Sequence, residues 1–170
     1  MRVLGLDPGL RRTGWGIVES SGNRLRHLAS GAIATDAKTS TAARLTQLFE
    51  GVLKVIDAHL PACAAVEEVF LNKNPGSTLK LGQARGVVML APAFRGLAVS
   101  EYATNMIKKS VVGAGHAQKE QVASMLRVLL PGAAHDDPDA ADALAAAICH
   151  IHHAGTRALW LAAPQTASRP

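Results

Sequence analysis

Three strand-like segments joined by short turns open the chain, and their spacing constrains the fold more than anything after them. Residues 2–7 (Arg-Val-Leu-Gly-Leu-Asp) are a short apolar run that ends in a carboxylate and is broken by Pro8-Gly9. Residues 13–19 and 25–33 read as a second and a third strand, with Ser20-Ser21-Gly22-Asn23 as the turn between them. Connections this short join antiparallel neighbours, because a parallel pair needs a crossover of about a dozen residues. After residue 33 the pattern alternates. Apolar side chains recur at helical spacing from Leu45 to Leu60, and Pro61 ends them. Residues 64–70 read as a fourth strand, and a helix capped by Ser77 runs towards Pro92. Residues 98–102 read as a fifth strand. Helices are expected near 105–112, over 119–130, and from Asp137-Pro138 to about His153, where Ala154-Gly155 closes the last one. The expected fold is α/β, a mixed five-stranded sheet of three antiparallel strands followed by parallel strands, with helices on both faces.

At 170 residues the chain is expected to form a single domain over residues 1–155, with 156–170 as a flexible tail. Hydrophobic residues make up 48% and charged residues 18%, a balance that excludes disorder over most of the length. No apolar run reaches the roughly 18 residues of a membrane span, and Asp7 and Pro8 interrupt the N-terminal run too early for a signal-peptide core. Two cysteines, Cys63 and Cys149, make no disulfide framework. The expectation is a soluble cytoplasmic domain with no membrane partner.

The net charge is +5, which points to a polyanion, nucleic acid before an anionic membrane surface. Against that background the placement of the acids matters. Asp7 ends an apolar strand, Glu67 and Glu68 interrupt another, and Asp139 and Asp142 stand three apart at the start of the final helix, on one face of it. Carboxylates are costly to bury alone, and several held side by side need cations. Mg²⁺ takes oxygen ligands, and two such ions about 4 Å apart promote phosphodiester cleavage. An acidic pocket in a basic protein is therefore the pattern of a metal-dependent nuclease. Spacing does not choose between Glu67 and Glu68, which point to opposite sheet faces. Asp136 and Asp137 read as helix-start residues, and Asp139 and Asp142 could serve the same purpose. His150, His152 and His153 read as partners of a helix C-terminus rather than zinc ligands.

Gly5-Leu6-Asp7-Pro8-Gly9, Thr13-Gly14-Trp15-Gly16 and Val66-Glu67-Glu68-Val69-Phe70 resemble the RuvC family of Holliday-junction resolvases. So do Lys80-Leu81-Gly82-Gln83-Ala84-Arg85-Gly86, Val111-Val112-Gly113 and the run from Asp139 to Ala145, and the resemblance covers about residues 2–153. It implies a ribonuclease-H-like fold and a Mg²⁺-dependent homodimer that nicks two opposing strands of a four-way DNA junction. Two ions per active site are implied, with Mn²⁺ able to substitute, as is a branch-migration motor formed by RuvA and RuvB. The implied catalytic and metal-binding acids are Asp7, Glu67, Asp139 and Asp142, with Lys108 and Lys119 as functional lysines. Phe70 matches a base-contacting aromatic near the junction centre. Lys73, Lys80 and Arg85 are expected to contribute to a phosphate-binding surface, together with Lys108, Lys119 and the Arg11-Arg12 pair. Gly82 and Gly86, one helical turn apart, either let two subunits approach in a dimer or pack against the chain's own sheet.

Three other readings compete. An actin-like sugar kinase or ATPase would use Asp7-Pro8-Gly9 around phosphate but needs a chain about twice this long with two related lobes. A short ribonuclease-H-like nuclease would act on ribosomal RNA precursors. A junction-binding protein without catalysis would have no need of four acids.

Overall fold

The computed structural model describes residues 1–68, 74–133 and 137–162, with side chains described as far as residue 154. The order is β1 (Arg2–Asp7), β2 (Arg12–Ser21), β3 (Arg24–Ala34), α1 (Thr41–His59), β4 (Cys63–Glu68) and α2 (Pro75–Phe94). Then come β5 (Ala98–Ala103), α3 (Thr104–Val112), α4 (Lys119–Leu129) and α5 (Pro138–Ala162). The five strands form one sheet in the order β3-β2-β1-β4-β5. β1 pairs antiparallel with β2 and parallel with β4, and β4 pairs parallel with β5. This is the expected mixed sheet.

Alternation along the strands divides the core. Leu4, Leu6, Ile17, Ala64 and Val66 pack with residues of α1 and α2 on one face. Val3, Val18, Cys63 and Ala65 pack with α3, α4 and α5 on the other. That alternation is the period-two geometry of a strand, and it places Asp7 and Glu67 on the face of α5. Glu68 points the opposite way, so strand phase makes the choice that spacing left open.

Helix α5 lies across β1 and β2, and glycines permit it. A Cβ on Gly5 would overlap the backbone of Ala143, and one on Gly14 would overlap the backbone of Asp139. The turn between β1 and β2 is held by Thr13, whose hydroxyl donates to the Gly9 carbonyl at 2.9 Å and accepts the Gly9 N–H at 3.2 Å.

Several boundaries differ from expectation. Asn74, not Ser77, caps α2: its side chain accepts the N–H groups of Gly76 and Ser77, and Pro75 takes the first helical position. Proline there lacks only an N–H that no helical carbonyl would accept. Pro92 falls inside the last turn of α2 rather than ending it. Helix α5 continues through Gly155 to Ala162, past the expected end near His153. A helix interior tolerates one glycine at a cost of about 1 kcal/mol, and Ala158-Leu159-Trp160-Leu161-Ala162 can follow it. His150, His152 and His153 therefore sit within the helix, not at its C-terminus. His150 meets the Tyr102 hydroxyl at 2.9 Å and Cys63 Sγ at 3.3 Å. Residues 163–170 of the expected tail, and Asp136, lie outside the described residues. Among the described residues no helix is long and apolar enough to cross a membrane.

Candidate active site

The parallel pairing of β1 with β4 aligns Leu6 with Val66, so the next residues, Asp7 and Glu67, lie side by side at the C-terminal ends of two adjacent central strands. Above those ends, α5 presents Asp142, α3 presents Lys108, and Lys119 opens α4. Asp7, Glu67, Thr104, Lys108, Lys119 and Asp142 line one cavity of about 280 Å³. A larger cavity of about 590 Å³, lined by Asn105, Lys109, His116 and His152 among others, contains none of these acids. Size does not decide between them, because only the smaller cavity gathers the carboxylates.

Each acid is engaged in its own way. Asp7 has its pKa raised to about 7, first by burial and then by repulsion from Glu67, Asp142 and Asp139, with Lys119 partly offsetting them. Glu67 accepts the Thr104 hydroxyl at 2.6 Å. Burial raises its pKa, and that hydrogen bond opposes the rise. Asp142 lies 3.4 Å from Lys119 Nζ. That attraction raises the Lys119 pKa, with smaller contributions from Asp7 and Glu67. Asp139, one turn before Asp142, accepts from Arg12 Nε at 2.8 Å and does not line the cavity. Asp137 caps α5, its Oδ1 accepting the Asp139 N–H at 3.1 Å. Asp139 and Asp142 thus each have a basic partner from outside α5.

The donor set is made of hard oxygens, half-buried and mutually repelling, and this suits a small divalent cation with a high charge density. Among the described residues no three acid, histidine or cysteine side chains stand already arranged as a ligand set. Protein donors occupy three of the four carboxylates instead: Thr104 at Glu67, Lys119 at Asp142 and Arg12 at Asp139.

The remaining sequence candidates divide. Lys80 is exposed on α2. Arg85 is ion-paired with Glu101 of β5. Phe70 and Lys73 lie outside the described residues. Among the described residues a Cβ on Gly82 or Gly86 would meet nothing within 4 Å, so neither packs against the chain's own sheet and both face outwards. They share the outer side of α2 with Leu79, Leu90 and Phe94, each more than half exposed. Sequence reasoning missed Thr104, which orients Glu67, and it missed the spatial reason for Gly5 and Gly14. The signal for both glycines was present, since a glycine inside a strand often marks close backbone approach.

Comparison with known proteins agrees with this geometry. The family model described as crossover junction endodeoxyribonuclease RuvC matches residues 3–150. The RuvC of Rhodospirillum rubrum is 60% identical over 163 residues, covering 95% of this chain and 96% of that protein. The RuvC of Paramagnetospirillum magneticum is 60% identical over 157 residues, covering 92% and 95%. Among solved structures, the RuvC of Thermus thermophilus in complex with a Holliday junction substrate superposes with a TM-score of 0.86 at 33% identity, over 92% of this chain and 96% of that one. A match over nearly the whole length, in sequence and in fold, places this chain in the RuvC family of crossover junction endodeoxyribonucleases.

Proposed function

We propose that the protein is a metal-dependent endonuclease that resolves four-way DNA junctions by paired symmetric nicks, in homologous recombination and DNA repair. The observation that carries this reading is the convergence of Asp7, Glu67, Asp142, Lys108 and Lys119 on one cavity at the end of two parallel strands. The high identity to RuvC relatives supports the same reaction.

In this reading Asp7, Glu67, Asp139 and Asp142 hold two Mg²⁺ ions, with Mn²⁺ able to replace them. Bound there, the ions would supply the Lewis acidity that readies water for attack and stabilises the leaving oxygen. The chain's own residues do the rest. Asp7 and Glu67 are fixed by the sheet, which keeps the donor oxygens at rigid strand ends. Thr104 sets the orientation of Glu67. Lys108 and Lys119 bring positive charge to the same cavity, where charge on the phosphate grows during reaction.

The working unit is a homodimer, because a junction with two-fold symmetry needs two sites at fixed separation. The outer side of α2 supports that assembly: Gly82 and Gly86 leave room for close approach, and Leu79, Leu90 and Phe94 offer apolar area. The protein acts in the cytoplasm, on junctions handled by a RuvA–RuvB branch-migration motor. Phe70 and Lys73 meet the junction in this reading, together with Lys80, Lys108 and Lys119. Arg85 joins them only by giving up Glu101. The deciding experiment incubates the protein with synthetic four-way junctions and with RNA duplexes, with and without Mg²⁺, and maps the cleaved positions. Preferential cutting of RNA would favour an RNA-processing nuclease instead.

A further inference from the structure

Of the four acids in the proposed metal set, Asp139 is held outside the shared cavity. Arg12, at the start of β2, donates from Nε to Asp139 Oδ2 at 2.8 Å and from an Nη nitrogen to Asp137 Oδ2 at 2.5 Å. Asp137 cannot follow freely, because its other oxygen accepts the Asp139 N–H in the cap of α5. One guanidinium therefore clamps two carboxylates of the same helix terminus. The clamp is well aligned but shallow: the Arg12 side chain is 45% exposed and that of Asp139 37%. Solvent screens pairs at such exposure, so a competing anion can displace them. A phosphate is the natural competitor, since the guanidinium fork can bind one phosphate bidentately, whereas here its donors are split between two carboxylates. Arg12 belongs to the Arg11-Arg12 pair expected on the phosphate-binding surface, and its side chain is open to solvent.

We propose that Arg12 is a positioning residue that withholds Asp139 from the metal set in the DNA-free protein and releases it when a junction phosphate takes the guanidinium. The inference rests on the metal-dependent reading of the site. It deepens that reading by making the complete ligand set a product of substrate binding. Without DNA, a divalent ion meets Asp7, Glu67 and Asp142; with DNA, Asp139 joins them.

The test titrates Mn²⁺ alone into DNA-free protein by calorimetry. Arg12→Gln is expected to tighten Mn²⁺ binding about fivefold, the scale of an exposed but well-aligned ion pair removed as competitor. Arg11→Gln removes the same charge one residue away and is expected to change it by less than about twofold. Asp139→Asn in the wild-type background is likewise expected to stay within about twofold, because its carboxylate is already spoken for. On protein saturated with junction, Arg12→Gln and wild type are expected to reach half-maximal cleavage at the same Mg²⁺ concentration. Equal tightening by Arg11→Gln and Arg12→Gln would reduce Arg12 to a general charge and overturn the proposal. So would a loss of DNA-free Mn²⁺ affinity in Asp139→Asn as large as that in Asp7→Asn, or a shifted Mg²⁺ requirement on bound junction in Arg12→Gln. Asp139→Asn keeps the question open to refutation even if Arg12→Gln folds poorly. Unchanged Mn²⁺ binding in Asp7→Asn would instead bring down the metal-dependent reading itself, and this proposal with it.

Discussion

At Asp7, the burial that readies the site for cations also destabilises the fold that holds it. The carboxyl ionises near 3.8 when unconstrained and near 7 in the folded chain. Between those values the folded state binds more protons than the unfolded state, so stability falls as pH rises through that window. In metal-free protein the melting temperature should therefore decline from about pH 4 to about pH 7 and then level with respect to this group. Asp7→Asn should flatten the decline and raise the melting temperature at pH 8, whereas added Mg²⁺ should recover stability in the wild type only. A melting profile unchanged by the substitution would contradict the burial of a charged Asp7. Lys119 tests the other sign of charge. Lys119→Met should lower the rate of junction cleavage by about a hundredfold, the scale for removing one donor aimed at developing charge. Binding should weaken only as one lost phosphate contact requires. Parallel losses of rate and affinity across a salt titration would make Lys119 an ordinary backbone contact.

Among the elements, two pairs of glycines look alike in the sequence and act oppositely. Gly14 lies under the backbone of Asp139, and Gly5 under that of Ala143, so α5 can approach the sheet only if both lack a side chain. Gly14→Val should destabilise the fold by about 1–3 kcal/mol, the range for overpacking. It should also cut cleavage steeply, because the displaced helix carries Asp139 and Asp142. Thermal melting and a cleavage assay measure the two effects together. A Cβ on Gly86, by contrast, would meet nothing within 4 Å among the described residues, so Gly86→Leu should leave the monomer folded and act only between subunits. The order of strands and helices was legible because alternation, helical periodicity and turn residues all agreed. Asp7 and Glu67 drew notice because a carboxylate in or at the end of an apolar strand is out of place, and the structure brings both to one cavity with Asp142. Other features were not legible, for physical reasons. Residue spacing alone, unlike the resemblance, did not choose Glu67 over Glu68, because the choice depends on the phase of β4 relative to β1, which only pairing defines. Asn74 and Ser77 are equally good caps in isolation, and Pro75 decides between them by fitting the first helical position. The clamp of Arg12 on Asp139 joins residues 127 apart in the chain, beyond the reach of any local pattern.

For the whole molecule, the acidic cavity found among the described residues is set, in the proposed reaction, against a junction cut on two strands. If the dimer forms through the outer side of α2, Gly86→Leu should shift sedimentation towards the monomer. On a cruciform plasmid it should turn linear product into nicked circles. A Gly86→Leu protein that remains dimeric would reject this interface, and a stable monomer that linearises the plasmid in one binding event would reject the dimer. The central claim is that Asp7, Glu67, Asp139 and Asp142 form a metal site that cuts junctions. The most direct test sets wild type and Asp7→Asn against a synthetic four-way junction, with and without Mg²⁺, scoring binding and cleavage in the same samples. The account predicts symmetric nicks for the wild type only when Mg²⁺ is present, and full binding without cleavage for Asp7→Asn. Cleavage by Asp7→Asn at a near-normal rate in Mg²⁺, or cutting by the wild type in the presence of a chelator, would contradict it.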